Sequence, residues 1–204
     1  MSVTIIDTGM GNIFSIIKVF NRLNVEIVVS ENPKVIRYAE KIILPGVGHF
    51  KQAMKRLNEN YLIDTLNELA FIKKTPILGI CLGLQIMAQK SEEGNEMGLG
   101  WFDSDVVRFI PTISNQKVPH MGWNNITGEF TKSKLLRGIT HEDEFYFVHS
   151  YHWRSKSNIE VAASTEYIYS FPSVIEMNNL YGVQFHPEKS FVSGEKILMN
   201  FIHL

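Results

Sequence analysis

Two short stretches of this 204-residue chain carry side chains that could make and break covalent bonds. The first is Gly79-Ile80-Cys81-Leu82-Gly83, which holds the only cysteine. The second is His186-Pro187-Glu188, at the end of the run Tyr181-Gly182-Val183-Gln184-Phe185. A nucleophile bracketed by glycines, after the apolar Pro76-Ile77-Leu78 and before the helix-like Leu84 to Ala88, has the pattern of a sharp strand-to-helix turn. Such a turn exposes one side chain at the end of a sheet strand, and the glycines remove Cβ atoms where the backbone bends and packs closely. Cysteine, histidine and a carboxylate supply a nucleophile, a base and a group that orients the base. Together they imply covalent cysteine catalysis of acyl transfer. The backbone N–H of Leu82 falls beside the sulfur, where it can hold the oxyanion of a tetrahedral intermediate.

Each stretch alone has a plainer reading. A lone cysteine packs well as a small hydrophobe, and His-x-Glu after a strand can be a solvated loop. Pro187 keeps the second stretch out of a helix interior and favours extended backbone, in which residues two apart point to one side. Glu188 can then reach one imidazole nitrogen while the other faces Cys81. Pro45-Gly46-Val47-Gly48 ends an apolar run, and its N–H groups could complete an oxyanion hole or simply form a tight turn.

The elements that must position these residues are legible as periodicity. Val3 to Ile6, Glu26 to Val29, Lys41 to Leu44 and Pro76 to Ile80 read as strands. Helical patterns span Ile13 to Leu23, Phe50 to Leu57 and Leu62 to Ile72. Strands separated by helices predict a parallel sheet covered on both faces. Sites in such sheets lie beyond the carboxyl ends of the strands, where Asp7, Pro45 and Cys81 fall. The second half differs. Val106 to Ile110, Phe145 to Val148, Val161 to Ala163, Val174 to Met177 and Leu180 to Phe185 read as short strands, several joined by turns, before a final helix from Gly194 to Ile202. Mixed or antiparallel additions are predicted there. No linker or repeat interrupts residues 1–204, which predicts one domain.

The formal net charge of −1 gives no sign of a nucleic-acid or membrane surface. One cysteine excludes an internal disulfide and a cysteine-based zinc site. The N-terminus lacks the pattern of a signal peptide, and no apolar run approaches the ~20 residues of a membrane helix. A cytoplasmic setting follows as the expectation.

The combined motifs resemble the class I glutamine amidotransferases. In order along the chain, Gly9-Met10-Gly11-Asn12-Ile13, Pro45-Gly46-Val47-Gly48-His49-Phe50, Cys81-Leu82-Gly83-Leu84-Gln85, Pro119-His120-Met121-Gly122-Trp123-Asn124, Tyr146-Phe147-Val148-His149-Ser150-Tyr151 and His186-Pro187-Glu188-Lys189-Ser190 are similar to the glutaminase subunits of imidazole glycerol phosphate synthases. The Pro119 and Tyr146 segments carry the narrower likeness.

The resemblance implies a flavodoxin-like three-layer α/β/α sandwich, with a mainly parallel central sheet and added antiparallel strands. It implies hydrolysis of glutamine to glutamate and ammonia by a Cys81, His186, Glu188 triad, with Val47 and Leu82 forming the oxyanion hole. Gly48, Gln85, Glu93, Ser150 and Tyr151 would bind substrate. Asn12, His120, Met121, Trp123 and Lys189 would face a (β/α)8-barrel cyclase partner in a heterodimer. Ammonia would pass to that partner, which converts PRFAR to imidazole glycerol phosphate and AICAR in histidine biosynthesis, with no metal or organic cofactor. Paralogues that supply ammonia for amidating bacterial surface-polysaccharide sugars share nearly all of these motifs. Trp123 could otherwise be a core residue, the common fate of a tryptophan.

If Cys81 acts only in making ammonia, Cys81→Ala is expected to abolish glutamine-dependent turnover of the assembled enzyme while added ammonium salt still supports it. Glu188→Gln is expected to cost less, because orienting a base is partly dispensable. Steady-state rates with each nitrogen source check both. Retained glutamine-dependent activity in Cys81→Ala would remove the assignment.

Overall fold

The computed structural model describes residues 2–9, 11–157 and 160–204. The first half alternates strand and helix: β1 (Ser2–Ile6), α1 (Ile13–Arg22), β2 (Glu26–Ser30), α2 (Pro33–Ile36), β3 (Ile42–Gly46), α3 (Phe50–Glu59), α4 (Leu62–Asn67), β4 (Ile77–Cys81) and α5 (Leu82–Gln85). The second half is mostly strand: β5 (Lys90–Ser91), β6 (Glu96–Met97), β7 (Ser104–Arg108), β8 (His120–Asn125), β9 (Glu144–His149), β10 (Tyr151–Ser155), β11 (Val161–Glu166), β12 (Ser170–Met177) and β13 (Leu180–Val183). Helix α6 (Phe191–Ile202) closes the chain.

Seven strands form the central sheet in the order β11-β12-β13-β4-β3-β1-β2. The five from β13 to β2 run parallel, in the flavodoxin-like order, and β11 and β12 add an antiparallel edge. The mixed character expected from the turn-joined second half is therefore present. Side sheets are formed by β10-β7-β5-β6 and by the β8-β9 pair.

Alternation along the central strands sends side chains to two separate cores. Val3, Ile5, Ile43, Leu78 and Ile80 pack with Ile16, Val19 and Phe20 of α1 and with Ile197, Leu198 and Phe201 of α6. Ile6, Ile42, Leu44 and Ile77 pack with Phe50, Ala53, Met54 and Leu57 of α3 and with Leu62 and Leu66 of α4. Helices on both faces make three layers. Asn12 starts α1, its side-chain oxygen accepting from the Ser15 N–H at 3.3 Å. The helix predicted to end at Ile72 is α-helical only to Asn67 and finishes as a π turn, Glu68–Ile72. The helix expected at Leu84 to Ala88 instead begins directly after Cys81.

Beside the parallel core, Phe109 is ringed by His149, His152, Tyr167, Tyr169 and Phe171. His120 stacks between Phe147 and Tyr167 and is only 2% exposed. It lies directly across from His149 in the β8-β9 ladder, and the rings meet at 3.1 Å between His120 Nδ1 and His149 Nε2. Burial pushes the His120 pKa down to about 4 and holds His149 well below the ordinary histidine range.

These packings set two expectations. At Gly83 an added Cβ would overlap the Leu44 carbonyl oxygen, whereas at Gly11 its nearest neighbour would be Ile13 Cγ1 at 3.5 Å. Gly83→Ala is expected to cost about 3 kcal/mol or more, since backbone cannot repack, and Gly11→Ala under about 1 kcal/mol. Urea titrations of the two variants compare them. Separately, a histidine held neutral by burial binds its proton more weakly folded than unfolded. Its contribution is complete above the ordinary value of 6.5 and is lost as pH falls from there toward about 4. The slope is about 1.4 kcal/mol per pH unit for one such group. His120→Gln should therefore lose less stability than the parent between pH 7.5 and pH 5, and parallel losses in urea midpoint would contradict this.

Candidate active site

Cys81 is the last residue of β4 and immediately precedes α5. Its backbone sits at φ 52°, ψ −107°, a sparsely populated region for a residue with a side chain. The surrounding glycines show what allows this. A Cβ on Gly79 would lie 2.6 Å from the Leu84 nitrogen, and one on Gly46 would lie 2.8 Å from Leu82 Cβ. Neighbouring strands thus press against the turn where only a bare backbone fits. As the first residue of a helix, Leu82 has an N–H with no intrahelical acceptor.

His186 follows β13, the strand paired beside β4. The backbone N–H of His186 donates to the Tyr146 carbonyl at 2.9 Å. The Ser190 hydroxyl donates to the His186 carbonyl at 2.6 Å and accepts from the Tyr146 N–H at 3.0 Å. His186 Nδ1 meets Glu188 Oε1 at 2.8 Å, both side chains being buried. The predicted contact is present, but the predicted extended backbone is not. Pro187–Lys189 form a 3-10 turn after an extended His186, so Glu188 reaches back through a turn.

His186 Nε2 is buried and makes no hydrogen bond of good geometry among the described residues. Burial is the largest single influence on its charge, and Cys81 and Glu188 act against it. Burial pushes the imidazolium pKa down, but the charge of a Cys81 thiolate and the Glu188 carboxylate outweigh it and raise the pKa to about 10. Long or poorly aligned catalytic hydrogen bonds are usual before substrate binds. The arrangement favours the protonated imidazole at His186.

A cavity of about 320 Å³ opens over Cys81. His186, Val47, Gly48, Leu82, Gln85, Glu93, Ser150 and Tyr151 all line it, so one hollow gathers the nucleophile, the base and every residue assigned to substrate or oxyanion. Gly48 has φ 109°, which only glycine adopts readily. Glu93 is tied to the wall, its Oε2 accepting from the Phe50 N–H at 2.7 Å. Gln85 donates to the Tyr151 carbonyl at 2.8 Å. His149 and Pro119 also line the hollow, and sequence reasoning gave neither a place in it. A larger hollow, about 560 Å³, beside Glu160 and Glu176 contains none of these groups.

The five residues expected at a partner surface divide. Met121 is 62% exposed. Trp123 is 43% exposed and stacks flat on Phe191, centroids 5.2 Å apart, so it is not a core residue. Lys189 sits over the Tyr146 ring at 5.5 Å. Asn12 is engaged in capping α1. His120 is the correction: it is enclosed by Phe147 and Tyr167, and its side chain has no surface with which to touch a partner. Strand alternation explains this, because Met121 points out and its neighbour therefore points in. Phe14, Phe191 and Val192 are exposed apolar residues that sequence reasoning passed over.

Residues 4–204 match the glutamine amidotransferase class-I family. The chain is 41% identical over 202 residues to imidazole glycerol phosphate synthase subunit HisH 2 of Pseudomonas aeruginosa, covering 99% of each. It is 44% identical over 204 residues to subunit HisH of Bacteroides fragilis, covering 100% of each. Its fold is similar to the crystal structure of a glutamine amidotransferase from Thermotoga maritima, with a TM-score of 0.65 at 16% identity over 100% of this chain and 83% of that one. A strand-end cysteine facing a buried His-Glu pair, on this sheet and with these full-length likenesses, shows that the chain belongs to the class I glutamine amidotransferases.

Proposed function

We propose that this chain is the glutaminase subunit of an imidazole glycerol phosphate synthase. It hydrolyses glutamine and hands the ammonia to a cyclase subunit with which it forms a heterodimer, in the cytoplasm. The observation that carries the reading is the single cavity that joins Cys81 and His186 to Gln85, Glu93 and Tyr151.

The proposed roles are supported by the shared cavity. The Cys81 thiolate attacks the carboxamide carbon of glutamine. The N–H groups of Leu82 and Val47 hold the resulting oxyanion. Imidazolium at His186 gives its proton to the departing nitrogen, because an amide leaves poorly without one. Ammonia departs and a γ-glutamyl thioester remains on Cys81. Water then attacks that thioester, His186 takes the proton, and glutamate leaves with the sulfur restored. Glu188 fixes the ring through Nδ1 and stabilises its positive charge throughout. Glu93 supplies negative charge for the α-ammonium group of the substrate. Gln85, Gly48, Ser150 and Tyr151 contact the amino-acid end.

Met121, Trp123, Phe14, Phe191 and Val192 provide exposed apolar area of the kind a partner covers. The stacked Trp123–Phe191 pair has the character of an anchor. A second acceptor fits the same motifs, and Methanococcus maripaludis carries both a HisH 1 and a HisH 2 relative of this chain. On that reading the same ammonia amidates a surface-polysaccharide sugar.

Reconstitution with a cyclase barrel tests the proposal. Glutamine-dependent conversion of PRFAR, with about one glutamate formed per product, is the expected result, since released ammonia would otherwise protonate and be lost. Turnover only with a sugar acceptor would favour the second reading. Trp123→Ala should weaken partner binding and raise the ratio of glutamate to product, while leaving the melt of the free chain within a few degrees. Unchanged affinity and ratio would dispose of the interface role, and an unfolded free chain would return Trp123 to a structural one.

A further inference from the structure

Gln184 is fully buried two residues before His186, between the apolar Val183 and Phe185. Its backbone N–H donates to the Ser173 carbonyl at 2.9 Å, which holds it beside β12. Its side-chain Nε2 lies 3.6 Å from the Cys81 sulfur, a normal donor distance to sulfur. The orientation of the amide is fixed by its neighbours. The Tyr151 carbonyl can only accept, so the Gln85 atom 2.8 Å away is nitrogen. That nitrogen also reaches the Gln184 side chain at 3.1 Å, which makes the atom it meets there the oxygen. The remaining end of Gln184, the NH₂ group, therefore faces the sulfur.

We propose that Gln184 is a catalytic group of this site: a neutral donor that holds the Cys81 sulfur in its attacking position and stabilises its negative form. The inference rests on the glutaminase reading above. The thiolate in a buried hollow has lost water on most sides, so a fixed N–H recovers part of its solvation. A neutral amide does this without competing with His186 for the proton. The same amide links the nucleophile to Gln85, so a substrate that engages Gln85 bears on the donor that holds the sulfur. The alternative is that Gln184 merely fills space, in which case an apolar residue of equal length would serve as well.

Two variants separate these. Gln184→Met keeps the volume and removes the donor, and Gln184→Glu places a carboxylate against the sulfur. Each full chain is checked by thermal melt, and alkylation of Cys81 by iodoacetamide is followed from pH 5 to 10. The proposal requires alkylation at neutral pH to fall by about 10-fold or more in Gln184→Met, consistent with losing a hydrogen bond to a charged group. The pH–rate profile should move to higher pH and should move further in Gln184→Glu. In the complex, kcat for glutamine should fall while KM changes less than about 3-fold. A profile superimposable on the parent's in either folded variant overturns the proposal. A further test uses the unaltered chain: the Gln184 side-chain amide protons should shift in NMR spectra as the thiolate forms, and should not in Cys81→Ser. Their failure to shift overturns the proposal even if both variants unfold. If the unaltered chain in its complex hydrolyses no glutamine although iodoacetamide labels Cys81, the glutaminase reading fails instead.

Discussion

The site depends on a backbone that is held where it would not rest by itself. Cys81 has φ 52° and ψ −107° because β4 must stop and α5 must start within one residue. Keeping a side chain there costs about 1–3 kcal/mol. Packing sustains it: Gly46 on β3, Gly79 within β4 and Gly182 on β13 let neighbouring backbone and Leu84 close over the turn. The result is a sulfur displayed at the carboxyl edge of the sheet while the residue stays 6% exposed. A nucleophile on a flexible loop would gain exposure and lose aim.

The second half of the triad is held in a different way. No strain is stored at His186. The residue is pinned by Tyr146 and Ser190, which join the end of β13 to β9 through three hydrogen bonds. Strand β9 also pairs with β8, which carries Met121 and Trp123 on the outer surface. The base and the exposed aromatic face thus share one ladder. The same ladder also carries His149, which lines the cavity over Cys81.

Legibility in the sequence followed the physics of each element. The parallel half was readable because its strands are apolar and its helices amphipathic, and because glycines around Cys81 have no other good reason to cluster. In the second half β7, β9, β11, β12 and β13 were readable as short apolar runs, but β8 was not. His120–Asn125 contains His, Gly and two Asn residues, and its strand identity comes from pairing with β9 rather than from its own pattern. The inward turn of His120 depends on that register and stayed hidden with it. The His186-Pro187-Glu188 contact was foreseen from an extended backbone that the chain does not adopt. Gln184 carried a signal that went unused: a polar residue inside the run Gly182-Val183-Gln184-Phe185, where burial demands a partner.

The central claim is that the sulfur held at this turn is the atom that takes the glutamyl group. The most direct measurement is affinity labelling of the assembled enzyme with a glutamine analogue bearing a diazoketone in place of the carboxamide, followed by peptide mass analysis. One label per chain is expected, on the peptide containing Cys81, with glutaminase activity lost in proportion and glutamine protecting against both. Stoichiometric label on another residue, or hydrolysis that survives complete labelling of Cys81, would contradict it.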